Sequence, residues 1–530
     1  MIQKINGLKW AKKSGSLSLF FLFCFSIIGQ AQQEQAQNPI IFADVPDMSM
    51  IRVGAHYYMS STTMHMNPGV PIMKSEDLVN WQLLRYAYDT LSTNDAHRLE
   101  NGKNAYGRGS WASSLRYHEG TYYLTTFAQT TGKTHLFSTQ NMEEGQWKVQ
   151  AFEPALHDNS LVFDKGKVFM IYGNGQIKIV ELKADLSGIK PEGIHQVLIE
   201  NASAPAGDAI MLGAEGSQLF KWQEYYYLFH IVWPENDMRT VLVHRAKNLL
   251  GPWEGKVVLR DKGVAQGGLI DTPDGRWFAY LFRDYGAVGR IPYWVPVQWK
   301  NGWPILGNNG KVPDRLELPA AQGLIPGLVA SDEFERTTAS EPLPLVWQWN
   351  HNPVASLWSL TERKGFLRLK TGRVDHHLVD ARNTLTQRTI GPYSTAKTAL
   401  SFSKMKDGDV AGLCLLQKFY GYVGIQKEKG QNYVVMVLGE ENKETVQEKI
   451  AVEGETVFLK AQCNFMDRAD TASFFYSLDV QTWHPLGVEL AMKYTLPHFM
   501  GYRFGLFNFA TQEAGGQADF DYFRISDTLD

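Results

Sequence analysis

The chain has 530 residues, more than one compact core holds at the usual ~100–200 residues per domain. Hydrophobic residues make up 44% and charged residues 20%, the balance of a folded globular protein rather than of a disordered or membrane-embedded one. A net charge of −3 lacks the basic excess that nucleic-acid phosphates demand, and the 15 Trp and 23 Tyr offer flat rings with polar tips that suit sugars as well as a β-core.

At the N-terminus, Lys4, Lys9, Lys12 and Lys13 precede an apolar run from Leu17 to Ile28 and then Gly29-Gln30-Ala31. The pattern predicts a secretory signal peptide over residues 1–31, cleaved after Ala31 and too short to span a bilayer. A retained anchor or a lipid on Cys24 is the alternative. The periplasm is the first expected destination, with secretion or the cell surface as alternatives. Only Cys414 and Cys463 follow, too few for a disulfide scaffold, and their pairing is open.

A polar turn followed by an aromatic-rich strand then returns five times: Gly54 to Ser60, Gly120 to Thr126, Gly166 to Tyr172, Glu224 to His230 and Gly275 to Leu281. The spacing of roughly 45–65 residues is that of a four-stranded propeller blade, and a β-like stretch before each turn makes each copy a hairpin. Three outer stretches, ending at Trp81, Trp147 and Trp253, place a ring after a polar loop and lend weaker support. The expected fold is all-β, opening with a five-bladed β-propeller over residues 38–317.

In a propeller the innermost strand of each blade starts near the central axis. The residues about seven to nine positions before the turns are Asp47, Trp111-Ala112, Asp158, Glu215 and Gln266. Acids are depleted from strands and seldom buried without a role, so three at equivalent positions point to a shared site. For any one of them alone, a turn cap is an equal reading. Asp274 reads as the turn residue of Pro273-Asp274-Gly275, and Asp271 stands near the same copy. No zinc-spaced Cys/His cluster, phosphate-cradling Gly loop or metalloprotease helix is present.

After Gly302-Trp303-Pro304 the repeat stops, and a linker from Leu318 to Gly323 leads to a second domain, residues 330–530. Short alternating strands, among them Gly365 to Lys370, Thr398 to Phe402, Tyr433 to Leu438, Thr456 to Ala461, Ser473 to Ser477 and Asp519 to Ile525, predict a β-sandwich. Asp332 and Asp521, near its two ends, form a candidate calcium pair of hard oxygen ligands.

Pro46-Asp47-Met48-Ser49, His157-Asp158-Asn159-Ser160, Glu215-Gly216-Ser217-Gln218 and the stretch from Gln266 through Arg290 to Pro304 resemble the blade motifs of glycoside hydrolase family 43. Trp347 to Pro353 and Gln387-Arg388 resemble the concanavalin-like sandwich that follows the propeller in one branch of that family. The resemblance implies an exo-acting, inverting glycosidase on oligosaccharide or polysaccharide, with no required cofactor. Asp47 is then the general base, Glu215 the general acid and Asp158 the neighbour that tunes the acid. Inversion implies about 6.5–9.5 Å between base and acid. Arg290 is implied as a sugar ligand, with an ion pair as its alternative reading. Trp111 is either a pocket wall or a core ring. Gln266 stands where many relatives carry His, which leaves an axial ion open. His65 either closes the rim or is a solvated loop residue. The implied substrate is a terminal α-L-arabinofuranosyl group on arabinoxylan or xyloglucan fragments, with β-xylosidase as the alternative and a non-catalytic sugar-binding propeller after that. The sandwich is expected as a packing partner, a second sugar site or a source of a pocket-shaping loop.

Overall fold

A computed structural model describes residues 35–325, 327–338, 341–441 and 443–529. The expected signal peptide and Cys24 lie outside the described residues.

Five four-stranded antiparallel sheets follow one another in chain order, each built from successive strands except that the first is interrupted by the short strand Met66–Asn67. Their innermost hairpins are Ser49–Val53 with His56–Ser60, Ser114–His118 with Thr121–Ala128, Ser160–Asp164 with Lys167–Tyr172, Ile210–Trp222 with Tyr225–Pro234, and Ala265–Asp271 with Trp277–Asp284. These are the five repeats read from the sequence, here blades I to V. The turns explain their legibility: at Glu119-Gly120 and Lys165-Gly166 both central residues have positive φ, the geometry that matches the twist of a two-residue hairpin. The aromatic strand that follows sits in the middle of its blade and is buried, as in Tyr226 to Val232.

The outer tryptophans pack between blades. Trp81 of blade I meets Trp294 of blade V edge-on at 6.3 Å, and Trp147 of blade II donates to Tyr86 O of blade I. Ring closure between blades V and I adds an ion pair, Arg52 with Asp271, which settles the role of that aspartate. Asp274 accepts from Thr272 and Arg276 within its own turn, as expected. Ahead of blade I, Asn38 clamps blade V by donating to Trp294 O and Pro313 O and accepting from Trp294 N.

The second domain is a sandwich of two large antiparallel sheets. Its first sheet extends into the propeller: Met66–Asn67, from a blade I loop, pairs with Gln348–Asn350 at the sheet edge. Side chains of both domains belong to one continuous buried core, from Met48 and Phe282 to Leu413 and Phe504. Cys414 and Cys463 are buried free thiols on strands of different sheets, so they do not pair.

Of the two aspartates in the candidate calcium pair, Asp332 is buried. Both Asp332 oxygens are occupied, by Arg336 at 3.0 and 2.9 Å, by Trp347 Nε1 and by the Phe334 amide, while Asp521 is exposed. A carboxylate neutralised by a buried guanidinium has little left to offer a cation.

Candidate active site

Asp47, Asp158 and Gln266 each stand just before or at the start of an innermost strand, and each adopts left-handed backbone, with φ of +51°, +47° and +51°. Such geometry costs a non-glycine residue energy and persists where the surroundings enforce it, commonly at functional sites. It turns the three side chains toward one cavity. Glu215 lies within its strand beside Gly216, whose φ is +69° and which has no room for a Cβ because Gln266 would lie 2.8 Å away.

Asp47 is buried and receives Arg290 Nη1 at 2.7 and 2.9 Å from its two oxygens. Burial pushes its carboxyl above the usual range, the charges of Asp44 and Glu215 add to this, and the guanidinium opposes them. Arg290 also donates from Nη2 to Phe499 O and lies 4.4 Å from the Phe499 ring centre. The arginine is thus an ion-pair partner of Asp47 and at the same time part of the cavity wall.

Asp158 accepts the Gly216 amide at 3.0 Å. Burial, reinforced by Glu215 and Asp47, lifts its carboxyl to about 7 against the pull of His157. The His157 ring is the site's unassigned member: its Nε2 lies 2.9 Å from Glu215 Oε2 and 3.7 Å from Asp158 Oδ2. Burial works against its charge, yet Asp158 and Glu215 together raise it to about 9, which favours the charged ring between the two carboxyl groups. Asn174 Nδ2 donates to the same oxygen. Sequence reasoning assigned neither residue a role. For His157 the signal was adjacency to Asp158; for Asn174, from the loop after the second strand of blade III, there was none.

His157, Asp158 and Glu215 place their ligand atoms within 4.8 Å of one another, so they are a conceivable metal set, but an imidazolium must first lose its proton to ligate. Below them four blades send Ser49, Arg116, Ser160 and Gln218 to one point, where Arg116 Nη2 donates to Ser160 Oγ and Gln218 Oε1.

The acids open onto a cavity of about 260 Å³ walled by Trp111, Gln266, Arg290, Trp233 and Arg239 of the propeller and by Leu496 and Phe499 of the sandwich. Trp111 stacks on Phe499 at 5.0 Å, which makes it a pocket wall rather than a core ring. The pocket-shaping part of the sandwich is this 496–499 loop. Trp347 and Gln387 instead hold the sandwich together, and Arg388 crosses to Asp44 O.

His65 requires correction. It is neither solvated nor at the rim but buried beside Tyr106, His351 and His498, with ring centres 4.6 to 5.9 Å away, and burial drives it well below its ordinary pKa. Its neutral Nδ1 accepts the Gly107 amide, so it fastens loops where the two domains meet and does not line the acidic cavity.

Residues 36–304 match the model described as Glycosyl hydrolases family 43, and residues 331–526 match that described as Beta xylosidase C-terminal Concanavalin A-like domain. A protein named Beta-xylosidase from Formosa agariphila is 27% identical over 92% of this chain and 89% of its own length. One named Non-reducing end alpha-L-arabinofuranosidase from Bacteroides ovatus is 28% identical over 72% of this chain and 73% of its own. Among solved structures, one titled Bifunctional GH43-CE from Bacteroides eggerthii is 61% identical with a TM-score of 0.92, covering 94% of this chain. This chain spans 64% of that protein's length.

Proposed function

The chain belongs to glycoside hydrolase family 43, and from that premise we propose that it is an exo-acting, inverting α-L-arabinofuranosidase that removes single terminal residues from plant polysaccharide side chains. The observation that carries the reading is the small size of the cavity onto which the acids open. Ligand clefts usually measure about 300–1,000 Å³, and this one, lined on the sandwich side by Leu496 and Phe499, is smaller at about 260 Å³, a size that suits a single sugar ring.

In the proposed step Asp47, kept ionised by Arg290, takes a proton from water as the water attacks the anomeric carbon. Glu215 gives its proton to the departing glycosidic oxygen, and the sugar leaves with inverted configuration. Because His157 and Asn174 both meet Oε2, Oε1 is the atom that carries the proton. Asp158 accepts the Gly216 amide and so holds the backbone beside Glu215. Trp111 lays a ring face on the sugar, and Gln266 and Arg290 take its hydroxyls. No cofactor enters, so excess chelator leaves turnover unchanged. We also place the mature protein outside the cytoplasm, beginning at Gln32; an N-terminus that reads through Gln32 counts against this.

A β-xylosidase is the second reading, favoured by the name of the Formosa agariphila relative. Hydrolysis of aryl α-L-arabinofuranoside against aryl β-D-xyloside separates the two, with Glu215→Ala as control. The arabinoside is expected to be preferred, with a loss of at least about 10²-fold in the variant. Preference for the xyloside overturns the substrate and keeps the mechanism. Loss of neither activity in the variant overturns the assignment of Glu215.

A further inference from the structure

Blade IV carries a run of buried polar side chains that the proposed chemistry does not use. Ser217 stands on its first strand, Ile210–Trp222, just after Glu215, and its Oγ lies 3.0 Å from Nε2 of His230 on the second strand, Tyr225–Pro234. His230 Nδ1 lies 3.3 Å from Nδ1 of His244 on the third strand, Thr240–Ala246. Gly255, on the fourth strand, Glu254–Leu259, pairs with His244, where a Cβ would come within 2.5 Å of the ring. Ser217, His230 and His244 are all buried, and burial keeps both rings neutral, His244 lowered to about 4 and His230 well below its ordinary value. Resting on the reading of Glu215 as the general acid, we propose that His230 is a positioning residue: through Ser217 it locks the irregular strand that aims Glu215 into the cavity.

Glu215 is flanked by two slips in register. It pairs with Ile231, whereas Gln218 pairs with Phe229 and Leu212 with Trp233, so on each side the first strand spends one residue more than its partner. That is the arrangement of a β-bulge, which re-aims a side chain. Because side chains alternate along a strand, moving the extra residue past Glu215 turns its carboxyl to the opposite face. Side chains hold the bulge in place: the Ala214 amide donates to Ser203 Oγ at 2.9 Å and the Gly216 amide to Asp158. Ser217 meets His230, which falls between the paired residues Phe229 and Ile231, and so ties the bulged strand to its own neighbour. His244 fixes the His230 ring in turn, since of two facing neutral Nδ1 atoms one donates and the other accepts.

The test compares kcat/KM on the dinitrophenyl and phenyl glycosides of the sugar that the parent prefers. Dinitrophenolate departs without a proton and phenolate needs one, so the dinitrophenyl-to-phenyl ratio rises when the acid is misplaced and stays put when part of the protein is merely unfolded. Glu215→Ala is expected to raise the ratio about 10²-fold. His230→Leu is expected to raise it about tenfold, with the loss on the phenyl substrate in kcat rather than KM. Ser217→Ala, which removes only a hydroxyl, is expected to do the same and decides the matter where His230→Leu does not fold. His230→Gln, whose amide still reaches Ser217, is expected to stay within about threefold of the parent. A raised ratio in Glu215→Ala with the parental ratio in His230→Leu or Ser217→Ala overturns the positioning role and leaves the acid in place, as does a rise in His230→Gln equal to that in His230→Leu. The parental ratio in Glu215→Ala, or a parent that cleaves no aryl glycoside, overturns the reading of the acid and the proposal with it.

Discussion

The contact between Arg290 and Asp47 joins the two proposed roles of the arginine. A carboxylate buried with its guanidinium partner keeps its charge; without the partner it is buried and uncompensated. Arg290→Met is therefore expected to move the acid limb of the kcat/KM profile to higher pH, because Asp47 must be ionised to act as base and loses the one influence that lowers its pKa. A fall in kcat/KM of about 10²–10³ accompanies the shift. A profile displaced in neither direction would deny Asp47 that part. His157 gives a second residue-scale prediction. Its proton is held more tightly in the folded chain, at about 9 against an ordinary 6.5, so the stability it contributes is complete below pH 6.5 and is lost as pH rises through 9. Across that window the melting temperature of the parent is expected to fall more steeply than that of His157→Gln. Parallel curves would mean that the imidazolium is not there.

Among the elements, the inner hairpins were legible because each encodes its own turn and its own buried aromatic strand. The outer strands were not: Lys148–Phe152 and Glu254–Leu259 bury few side chains and owe their conformation to the strand beside them. The same holds for Met66–Asn67, two residues whose strand exists only because Trp349 and Asn350 pair with them. Ring closure rests on similarly distant contacts, with Asn38 making three hydrogen bonds to blade V and the chain beyond it. Asn38→Ala is expected to lower unfolding free energy by about 1–3 kcal/mol in denaturant titration, since it strands partly buried backbone groups. No change would show that the blades close without the clamp.

At the scale of the whole molecule, the propeller and sandwich act as one body because Asp44 ties them. Its carboxylate accepts the amides of Arg290 and Gly501, and its carbonyl accepts Arg388 Nε. Gly501 sits so close that a Cβ would lie 2.2 Å from Val288 O across the seam. Gly501→Ala is expected to cost about 2–4 kcal/mol of stability and to reduce kcat/KM at temperatures where the protein is still folded, because the strain falls beside the loop that carries Phe499. Reduced stability with unchanged kinetics would separate the seam from the roof of the pocket.

The sequence by itself determined the repeat, the blade count and the three acids at matching blade positions, because each depends on residues close in the chain: a turn, an alternating strand, a motif of a few positions. Only the tertiary structure decided what those acids meet. Arg290 is 243 positions from Asp47 and Phe499 is 209 from Arg290, so pairing and roof arise from contacts that no local pattern records. The same distance rule removed one expectation: His65 is buried because loops of both domains close over it.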